Sequence, residues 1–463
     1  MSHDSSAQFS ALQLSDAVLD NLQQLGFQQM TPIQQEALPH ALAGRDVVAR
    51  AKTGSGKTLA FALPMLIKAD TNNYAPQALV LCPTRELADQ VSKESRKIAR
   101  WKENLKILTL CGGMPIGPQI GSLEHGAQII VGTPGRIQDH LRKGTLKLDQ
   151  VSMLILDEAD RMLDMGFKDS IEAILSHIPA KAQHLLFSAT FPDDLESLGS
   201  NFLREPVQVE VDTQHVKAQI SQTAIQIKDD QREAVVTGLL SHYQPESCVV
   251  FCNTRQSAEA LCDTLRYQGF SALALHGDKD QKDRDLILAR FANRSCSVLV
   301  ATDVASRGLD IDQVEGVINF EMTRDAEVHV HRSGRTGRAG NSGWVYNLYK
   351  ESEAYKREAA ESELGMQMQN DRAEKWIDVP FAPYKAEMIT LQFDQGKKNK
   401  IRAGDILGAL TGTVGLSGQD VGKIAIFDFH AVVAVRFAVS KQALKALEEG
   451  KLKGRKVRVR RLG

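Results

Sequence analysis

The chain has 463 residues, of which 43% are hydrophobic and 24% charged, and its formal net charge is −1. This composition is ordinary for a globular protein and excludes a collagen-like, low-complexity or wholly disordered chain. The balance of charge hides an asymmetry, because the chain from Met388 onward holds 15 Lys/Arg against 6 Asp/Glu, which leaves 41 against 51 upstream. A basic tail on an acidic body predicts a polyanionic partner at that end, with a solvated charged surface as the alternative.

No apolar run approaches the ~20 residues needed to cross a bilayer, and the first residues lack the layout of a signal peptide. The cysteines form no CxxC pair, which favours reduced, buried thiols over a zinc site. We therefore expect a cytoplasmic protein with no membrane partner.

In chain order, the first predicted elements are two short helices, one after Ser15 and one at Thr31-Pro-Ile-Gln34. Short apolar runs then alternate with helical segments, which predicts a parallel sheet covered by helices on both faces. The predicted strands of this first domain are Asp46–Ala49, Ala78–Cys82, Lys106–Leu110, Ala127–Val131, Met153–Leu156 and His184–Phe187. The same rhythm predicts a second α/β domain with strands Cys248–Cys252, Ser271–Leu275, Ser297–Ala301, Gly316–Asn319 and Gly343–Leu348.

The pattern changes after Met388. A strand, a helix, two paired strands, an amphipathic helix and a final Val/Arg strand give the βαββαβ order of the split ferredoxin-like arrangement, a fold that RNA-recognition modules use. The predicted organisation is a leader at 1–35, a first α/β domain at 36–207, a connection at 208–228, a second α/β domain at 229–374, a linker at 375–386 and a tail domain at 387–463.

A phosphate-binding loop is predicted between the first strand of the first domain and the apolar helix that follows it. In such a loop, backbone N–H groups surround phosphate oxygens at a helix N-terminus. Lys57 would reach the β- and γ-phosphates of a nucleotide, and the Thr58 hydroxyl would bind Mg²⁺. Ala51 stands where the usual pattern has glycine, and a glycine-rich turn without a ligand is the alternative. The loop residues are Ala51, Lys52, Thr53, Gly54, Ser55, Gly56, Lys57 and Thr58.

Three carboxylates, Asp157, Glu158 and Asp160, follow the apolar run Met153–Leu156. A strand that runs into a solvated turn would explain them, but the phosphate-binding loop favours a functional role. In P-loop enzymes an acid that ends a neighbouring strand holds Mg²⁺, usually through water, which predicts this role for Asp157. Glu158 is then placed to accept a proton from the water that attacks the γ-phosphate.

The segment His331–Arg338 places three arginines among small residues in the second domain. Arginines delivered across a cleft stabilise charge on a transferring phosphoryl group, while a basic surface loop is the alternative. Two α/β domains, one with the phosphate-binding loop and acids and the other with arginines, predict a cleft that closes on ATP.

These motifs, and the run Asp157-Glu-Ala-Asp160 above all, resemble the DEAD-box family of ATP-dependent RNA helicases over nearly all of residues 9–340. The resemblance implies an α/β fold of two tandem RecA-like parallel-sheet domains, followed by an α+β RNA-recognition-motif-like domain. It also implies ATP and Mg²⁺ as cofactors and RNA as the partner.

The family's site residues carry over by motif. The match places Phe9 and Gln34 at the adenine, and it gives Ser188 and Thr190 the coupling of hydrolysis to RNA binding. The remaining positions that it assigns to the nucleotide are Gly308, Asp310, His331 and the finger residues Arg335 and Arg338. Those that it assigns to RNA are Pro83, Thr84, Arg85, Gly112, Gly113, Thr133, Pro134, Gly135, Arg136, Asn253, Thr254, Arg255, His276, Gly277, Gln281, Arg284, Thr302, Asp303 and Arg307.

The tail domain narrows the resemblance to a bacterial group that holds a hairpin of 23S rRNA and acts on a neighbouring helix during large-subunit assembly. Because His430–Val435 offers mostly Ala and Val, base stacking on the sheet face is doubtful. The predicted contacts are instead Lys397, Lys398, Lys400, Arg402, Arg455, Lys456, Arg458, Arg460 and Arg461. A basic protein-binding domain is the alternative.

The leading prediction is a monomeric helicase that separates short rRNA duplexes in large-subunit precursor particles. Two other functions remain open from the sequence. One is an RNA clamp whose ATPase only times release, and the other is a DNA-unwinding enzyme. Strand displacement and stimulation by single-stranded DNA distinguish them.

Overall fold

The structure is a computed structural model that describes residues 7–51, 55–211, 220–228, 230–303, 314–337, 343–450 and 452–462. The chain divides into two units, one on each side of residues 212–219. One sheet lies in the first unit and two lie in the second. Among the described helices, none is both long and apolar enough to span a membrane.

The first unit is built on a parallel sheet whose strands in chain order are β1 (Val47–Arg50), β2 (Ala78–Leu81), β3 (Ile107–Leu110), β4 (Ile129–Gly132), β5 (Met153–Asp157), β6 (Gln183–Ser188) and β7 (Val207–Glu210). Their order across the described sheet is β3-β4-β2-β5-β6-β1-β7. The helices are α1 (Asp16–Gln24), α2 (Pro32–Leu42), α3 (Lys57–Lys68), α4 (Arg85–Ile98), α5 (Gly117–Glu124), α6 (Pro134–Arg142), α7 (Ala159–Asp164), α8 (Lys168–Leu175) and α9 (Asp193–Ser200).

Alternation along the strands divides the apolar side chains between two cores. Val47 and Ala49 of β1 point into one buried cluster, whereas Val48 points into the other. Strand β5 is buried along its whole length, as expected for a sheet that helices cover on both faces.

The second α/β domain repeats this plan with β8 (Ile220–Gln226), β9 (Cys248–Cys252), β10 (Ala272–Leu275), β11 (Val298–Thr302), β12 (Gly316–Asn319), β13 (Gly343–Tyr349) and β14 (Gln369–Arg372). These described strands are parallel, in the order β10-β11-β9-β12-β13-β8-β14. Its helices are α10 (Arg232–Tyr243), α11 (Arg255–Tyr267), α12 (Gln281–Ala292), α13 (Ala326–Ser333), α14 (Ala354–Leu364) and α15 (Ala373–Ile377).

Two predicted connections are corrected by the structure. The connection predicted at 208–228 contains most of β7, which pairs with β1, and all of β8, which pairs with β13. The linker predicted from residue 375 begins inside α15, where Trp376 is 2% exposed. A Cβ atom on Gly238 of α10 would lie 1.8 Å from the Trp376 carbonyl oxygen, so α15 is packed tightly on the second domain.

The C-terminal domain has the predicted βαββαβ order. Its elements are β15 (Met388–Phe393), α16 (Ala403–Gly408), β16 (Val421–Ile426), β17 (Ala431–Arg436), α17 (Ser440–Glu449) and β18 (Val459–Leu462). The antiparallel sheet runs β16-β17-β15-β18. The fold class predicted from the sequence, two parallel-sheet α/β domains and a small α+β domain, is confirmed.

Candidate nucleotide and RNA sites

Strand order divides the predicted motifs of the first unit into two groups. Strands β1, β5 and β6 are adjacent, and their carboxyl ends carry the phosphate-binding loop, Asp157 and Ser188. Strands β3, β4 and β2 form the other half of the sheet, and they lead to Gly112, Thr133 and Thr84. Parallel sheets bind ligands beyond the carboxyl ends of their strands. One sheet edge therefore brings the predicted nucleotide residues together on one side and the predicted RNA residues together on the other.

Helix α3 starts at Lys57, immediately after Gly56, whose φ of +93° suits glycine. Gln34 connects α2 to this loop, because its Nε2 donates to the Gly56 carbonyl oxygen at 3.0 Å. Its Oε1 accepts from the N–H of Thr31, the residue before α2, at 3.0 Å. A Cβ atom on Gly56 would lie 2.5 Å from Gln34 Nε2. Predicted loop residues Lys52, Thr53 and Gly54 lie outside the described part of the chain.

A buried cation and a buried carboxylate define the centre of the candidate nucleotide site. Lys57 and Asp157 are 6% and 3% exposed, and neither Lys57 Nζ nor Asp157 Oδ1 finds a hydrogen-bond partner among the described residues. The pKa of Asp157 is raised to about 7, mainly by burial; the charge of Lys57 opposes this shift, and the charge of Glu158 adds to it. Because buried polar groups without partners are costly, this pair fits a phosphate and its divalent cation.

Glu158 caps α7 in a left-handed conformation, with φ and ψ both 53°. Such a conformation is uncommon outside glycine and concentrates at functional sites. Its Oε2 accepts from Arg161 Nη1 at 2.7 Å in an ion pair in which both side chains are at most 6% exposed. The role of Glu158 as the base stays a prediction.

Asp160 joins the end of β5 to the end of β6, which the sequence did not predict. Its Oδ2 accepts from the Thr190 N–H and hydroxyl, both at 3.0 Å, and from the Ala189 N–H at 3.2 Å. Its own N–H donates to Ser188 Oγ at 3.1 Å. Burial opposes ionisation of Asp160, but these hydrogen bonds hold its pKa below the usual range. The signal in the sequence was the third carboxylate of the acidic run.

Phe9 is 4% exposed and lies in the apolar cluster of the first unit. Ala51 is 3% exposed, and its N–H donates to the Ser188 carbonyl oxygen at 2.9 Å. Buried Ser55 Oγ finds no partner among the described residues. Stacking of adenine on Phe9 stays a prediction.

The predicted RNA residues of the first unit lie at helix N-termini and in turns. Thr84 caps α4 by accepting from the Leu87 N–H at 3.3 Å, and Thr133 precedes α6, which contains Pro134 and Gly135. Gly113 has a φ of +74°. Arg136 Nη2 donates to the Met114 carbonyl oxygen at 2.8 Å, and Arg85 Nε lies 3.8 Å from Asp89. Pro83 directly precedes the Thr84 cap.

The second domain repeats this layout. Adjacent strands β10, β11 and β9 end at His276, Thr302 and the Asn253–Arg255 segment. Thr254 caps α11 by accepting from the Ser257 N–H at 3.0 Å, and Arg255 pairs with Asp278. His276 Nε2 lies 2.6 Å from Glu259 Oε1, and Gly277 follows it. Gln281 and Arg284 both lie in the first turn of α12.

Arg332, to which the sequence motifs assigned no separate role, joins these loops through its hydrogen bonds. It is 2% exposed, and its Nε and Nη2 donate to the two carboxylate oxygens of Asp303 at 2.6 and 2.7 Å. Nη2 also donates to Asn253 Oδ1 at 2.9 Å, and Nη1 donates to Asn319 Oδ1 at 3.2 Å and to the Glu321 carbonyl oxygen at 2.7 Å. The carboxylate of Asp303 therefore holds an arginine, and a direct contact of Asp303 with RNA stays a prediction.

His331 lies in α13, and Arg335 follows that helix and is 5% exposed. The other predicted residues of these motifs, Arg307, Gly308, Asp310 and Arg338, lie outside the described ranges. The predicted basic residues of the C-terminal domain (Lys397, Lys398, Lys400, Arg402, Arg455, Lys456, Arg458, Arg460 and Arg461) are all exposed.

The fold and the residues at its strand ends define a P-loop ATPase of the helicase class, and family comparisons agree. A DEAD/DEAH box helicase family model matches residues 31–198, a helicase conserved C-terminal domain model matches 230–340, and a DbpA RNA binding domain model matches 390–461. The chain belongs to the DEAD/DEAH box helicases and is an ATP-hydrolysing RNA helicase with a DbpA-type RNA-binding domain.

Individual relatives extend the likeness over the whole chain. The ATP-dependent RNA helicase DbpA of Escherichia coli is 51% identical over 98% of this chain and 99% of its own length. The Bacillus subtilis protein of the same name is 36% identical over 97% and 98%. Among solved structures, Saccharomyces cerevisiae Dbp5 bound to RNA and ADP BeF3 is similar with a TM-score of 0.73 and 29% identity, covering 81% of this chain and 97% of that one.

Proposed function

We propose that this RNA helicase binds a hairpin of 23S rRNA through its C-terminal domain and separates a short neighbouring duplex during assembly of the large ribosomal subunit. The observation that carries the proposal is the C-terminal domain itself, an α+β module on which all nine predicted basic contacts are exposed. Phosphate contacts from exposed Lys and Arg supply much of the affinity of proteins for RNA. Two similar proteins carry the name ATP-dependent RNA helicase DbpA, which supports RNA as the partner.

Within the first unit, Lys57 would hold the nucleotide phosphates and Glu158 would orient or deprotonate the attacking water. Thr58 and Asp157 would hold Mg²⁺, which supplies neutralisation of charge on the phosphates when bound. The partnerless Lys57 Nζ and Asp157 Oδ1 support these roles. A movement of Asp160 during nucleotide binding or hydrolysis would also move Ser188 and Thr190, because hydrogen bonds join Asp160 to both residues.

The test compares wild type with a variant in which Lys397, Lys398, Lys400 and Arg402 are all replaced by Gln. We measure ATPase stimulation by a transcript of the peptidyl-transferase region of 23S rRNA and by poly(A). The variant should lose preference for the transcript and keep stimulation by poly(A), because its two α/β domains are unchanged. A matched control replaces exposed Lys441 and Lys445 of α17 by Gln. Retained preference in the first variant would contradict the proposal.

A strand-displacement assay with a short RNA duplex next to the hairpin separates a helicase from an RNA clamp. A clamp would hydrolyse ATP without releasing the strand. Equal stimulation by single-stranded DNA would favour the DNA-unwinding alternative.

A further inference from the structure

The two central strands of the C-terminal sheet, β15 and β17, are buried on both faces. On one face, Leu391 and its neighbours pack into the domain core. On the other face, Thr390 is 0% exposed, and its Oγ1 accepts from Asn293 Nδ2 of the second α/β domain at 3.0 Å and lies 2.6 Å from Ser295 Oγ. Val432 and Ala434, on that same face, are also fully buried. RNA-recognition modules read bases with aromatic side chains on this face, so bases must be read elsewhere on this domain.

Three loops meet at one end of the same sheet. The N–H groups of Lys397 and Lys398 donate to the carbonyl oxygens of Phe427 and Asp428 at 2.8 and 2.9 Å, which joins the loop after β15 to the turn between β16 and β17. Lys453 Nζ donates to the Lys400 carbonyl oxygen at 2.8 Å, which adds the loop before β18. We call residues 394–402, 427–430 and 452–458 the basic loop cluster. It contains eight Lys/Arg and two Asp.

One aromatic ring stands exposed in this cluster. Phe429 is 67% exposed at the tip of the turn. Two contacts stabilise the turn beneath it: the rings of Phe427 and His430 stack with centroids 4.5 Å apart and 17° between planes, and the Phe427 N–H donates to the His430 carbonyl oxygen at 2.8 Å. A Cβ atom on Gly396 would lie 2.2 Å from the Phe427 carbonyl oxygen, so the neighbouring loop is packed closely on this turn.

A charge of the second α/β domain acts on a histidine of this cluster. Burial lowers the pKa of His430, and the charges of Lys282 and Arg460 lower it further. Lys282 stands in α12 next to Gln281, one of the residues predicted to contact RNA. The C-terminal sheet also contacts the second domain at Asn293, which directly follows α12.

An exposed aromatic ring among cations suits an unstacked base, because the base stacks on the ring while the cations hold the backbone phosphates. We propose that Phe429 stacks on an unpaired loop base of the bound RNA hairpin, and that the basic loop cluster around it holds the hairpin backbone. Recognition is then directed at the loop of the hairpin and not at its stem. This inference rests on the proposed function, since it requires the C-terminal domain to bind a hairpin.

The test uses the full-length chain and three RNAs: a 23S rRNA hairpin transcript from the peptidyl-transferase region, the same hairpin with abasic loop nucleotides, and a blunt duplex of the same stem. Phe429→Ala should weaken binding of the intact hairpin roughly 10- to 100-fold, as expected for one base–aromatic stack. It should leave binding of the abasic hairpin and the duplex unchanged, and Phe429→Tyr should bind the hairpin like wild type.

Phe437→Ala is the matched control. Phe437 is also exposed, at 56%, but it lies at the other end of β17 and its ring packs on Arg461 at 4.9 Å. Arg461, a predicted RNA contact, keeps its charge when this ring is removed, so the replacement should lower hairpin affinity far less than Phe429→Ala does. Thermal unfolding of each variant serves as the check on folding.

The outcomes separate the two proposals. If wild type binds the hairpin and the duplex equally well, the proposed function is wrong and the inference falls with it. If wild type prefers the hairpin and Phe429→Ala keeps that preference, only the role of Phe429 is overturned. The same holds if Phe437→Ala weakens binding as much as Phe429→Ala does.

Discussion

Replacing Arg332 by lysine should destabilise the second α/β domain although the charge is kept. The guanidinium makes five hydrogen bonds to four residues while it is 2% exposed. A lysine ammonium donates at most three, without the planar fork that fits the carboxylate of Asp303. Hydrogen bonds of charged groups contribute about 1.5–3 kcal/mol each, so losing two of them sets the expected loss at about 3 kcal/mol.

The assay is urea unfolding followed by tryptophan fluorescence in a Trp101→Phe background, in which Trp344 and Trp376 of the second domain are the tryptophans that remain. Arg324→Lys is the matched control, because Arg324 is exposed in the same part of the chain. Surface substitutions usually change stability by less than 0.5 kcal/mol or so. If Arg332→Lys costs less than about 1 kcal/mol, or no more than Arg324→Lys, then Arg332 does not tie the loops as its hydrogen bonds suggest.

Three further predictions follow from other buried polar groups. Asp160→Asn should lower the stability of the first unit by about 2 kcal/mol, since both carboxylate oxygens accept backbone N–H groups and the amide N–H would face either that of Arg161 or those of Ala189 and Thr190; thermal unfolding checks this, and an equal loss in exposed Asp164→Asn would contradict it. Because the pKa of Asp157 is raised to about 7, Mg²⁺-ATP affinity should fall about tenfold per pH unit below that value, and a wild-type titration no steeper than that of Asp157→Asn would refute the role of Asp157. Burial, with a smaller contribution from the charge of Arg332, lowers the pKa of His329 from 6.5 to about 4 in the folded chain. As pH falls below 6.5, the unfolded chain therefore takes up a proton at this histidine before the folded chain does. Stability of the second domain should then drop by about 2 kcal/mol between pH 7 and 5, and His329→Gln should remove that part of the drop.

The sequence predicted the strands that are mainly apolar and missed β7, β8 and β14, for a physical reason. Strands such as Cys248–Cys252 are continuous apolar runs, because helices cover both faces of a parallel sheet. Edge strand β14, Gln369–Arg372, is wholly polar, and β7 is buried at only one position. Their pairing with β8 and β1 depends on contacts that are distant in the sequence, which a local pattern cannot indicate.

The candidate site likewise contains residues that the sequence predicted and contacts that it did not. Motif residues at strand ends were predictable, because a parallel sheet brings the carboxyl ends of its strands to one edge. The partners of Asp160 lie 28 to 30 residues away, and Arg332 contacts Asn253 across 79 residues. No spacing rule predicts such pairs. The signals in the sequence were Asp160, as a third carboxylate, and Arg332, as an additional arginine. Each lies in a motif whose other residues already had predicted roles.

Asp160 and Arg332 have the same structural role, one in each α/β domain. A buried charge is costly unless hydrogen bonds satisfy it, and breaking such a set is more costly still. Each of these residues connects, through hydrogen bonds, the loops that follow two different strands. These strands are β5 and β6 for Asp160, and β9 and β11 for Arg332. Hydrogen bonds fix direction as well as distance, whereas apolar packing would let one loop slide against the other. A shift of either loop must therefore move its partner loop or break the set. Each domain thus holds a rigid connection between the ends of two strands that carry predicted functional residues.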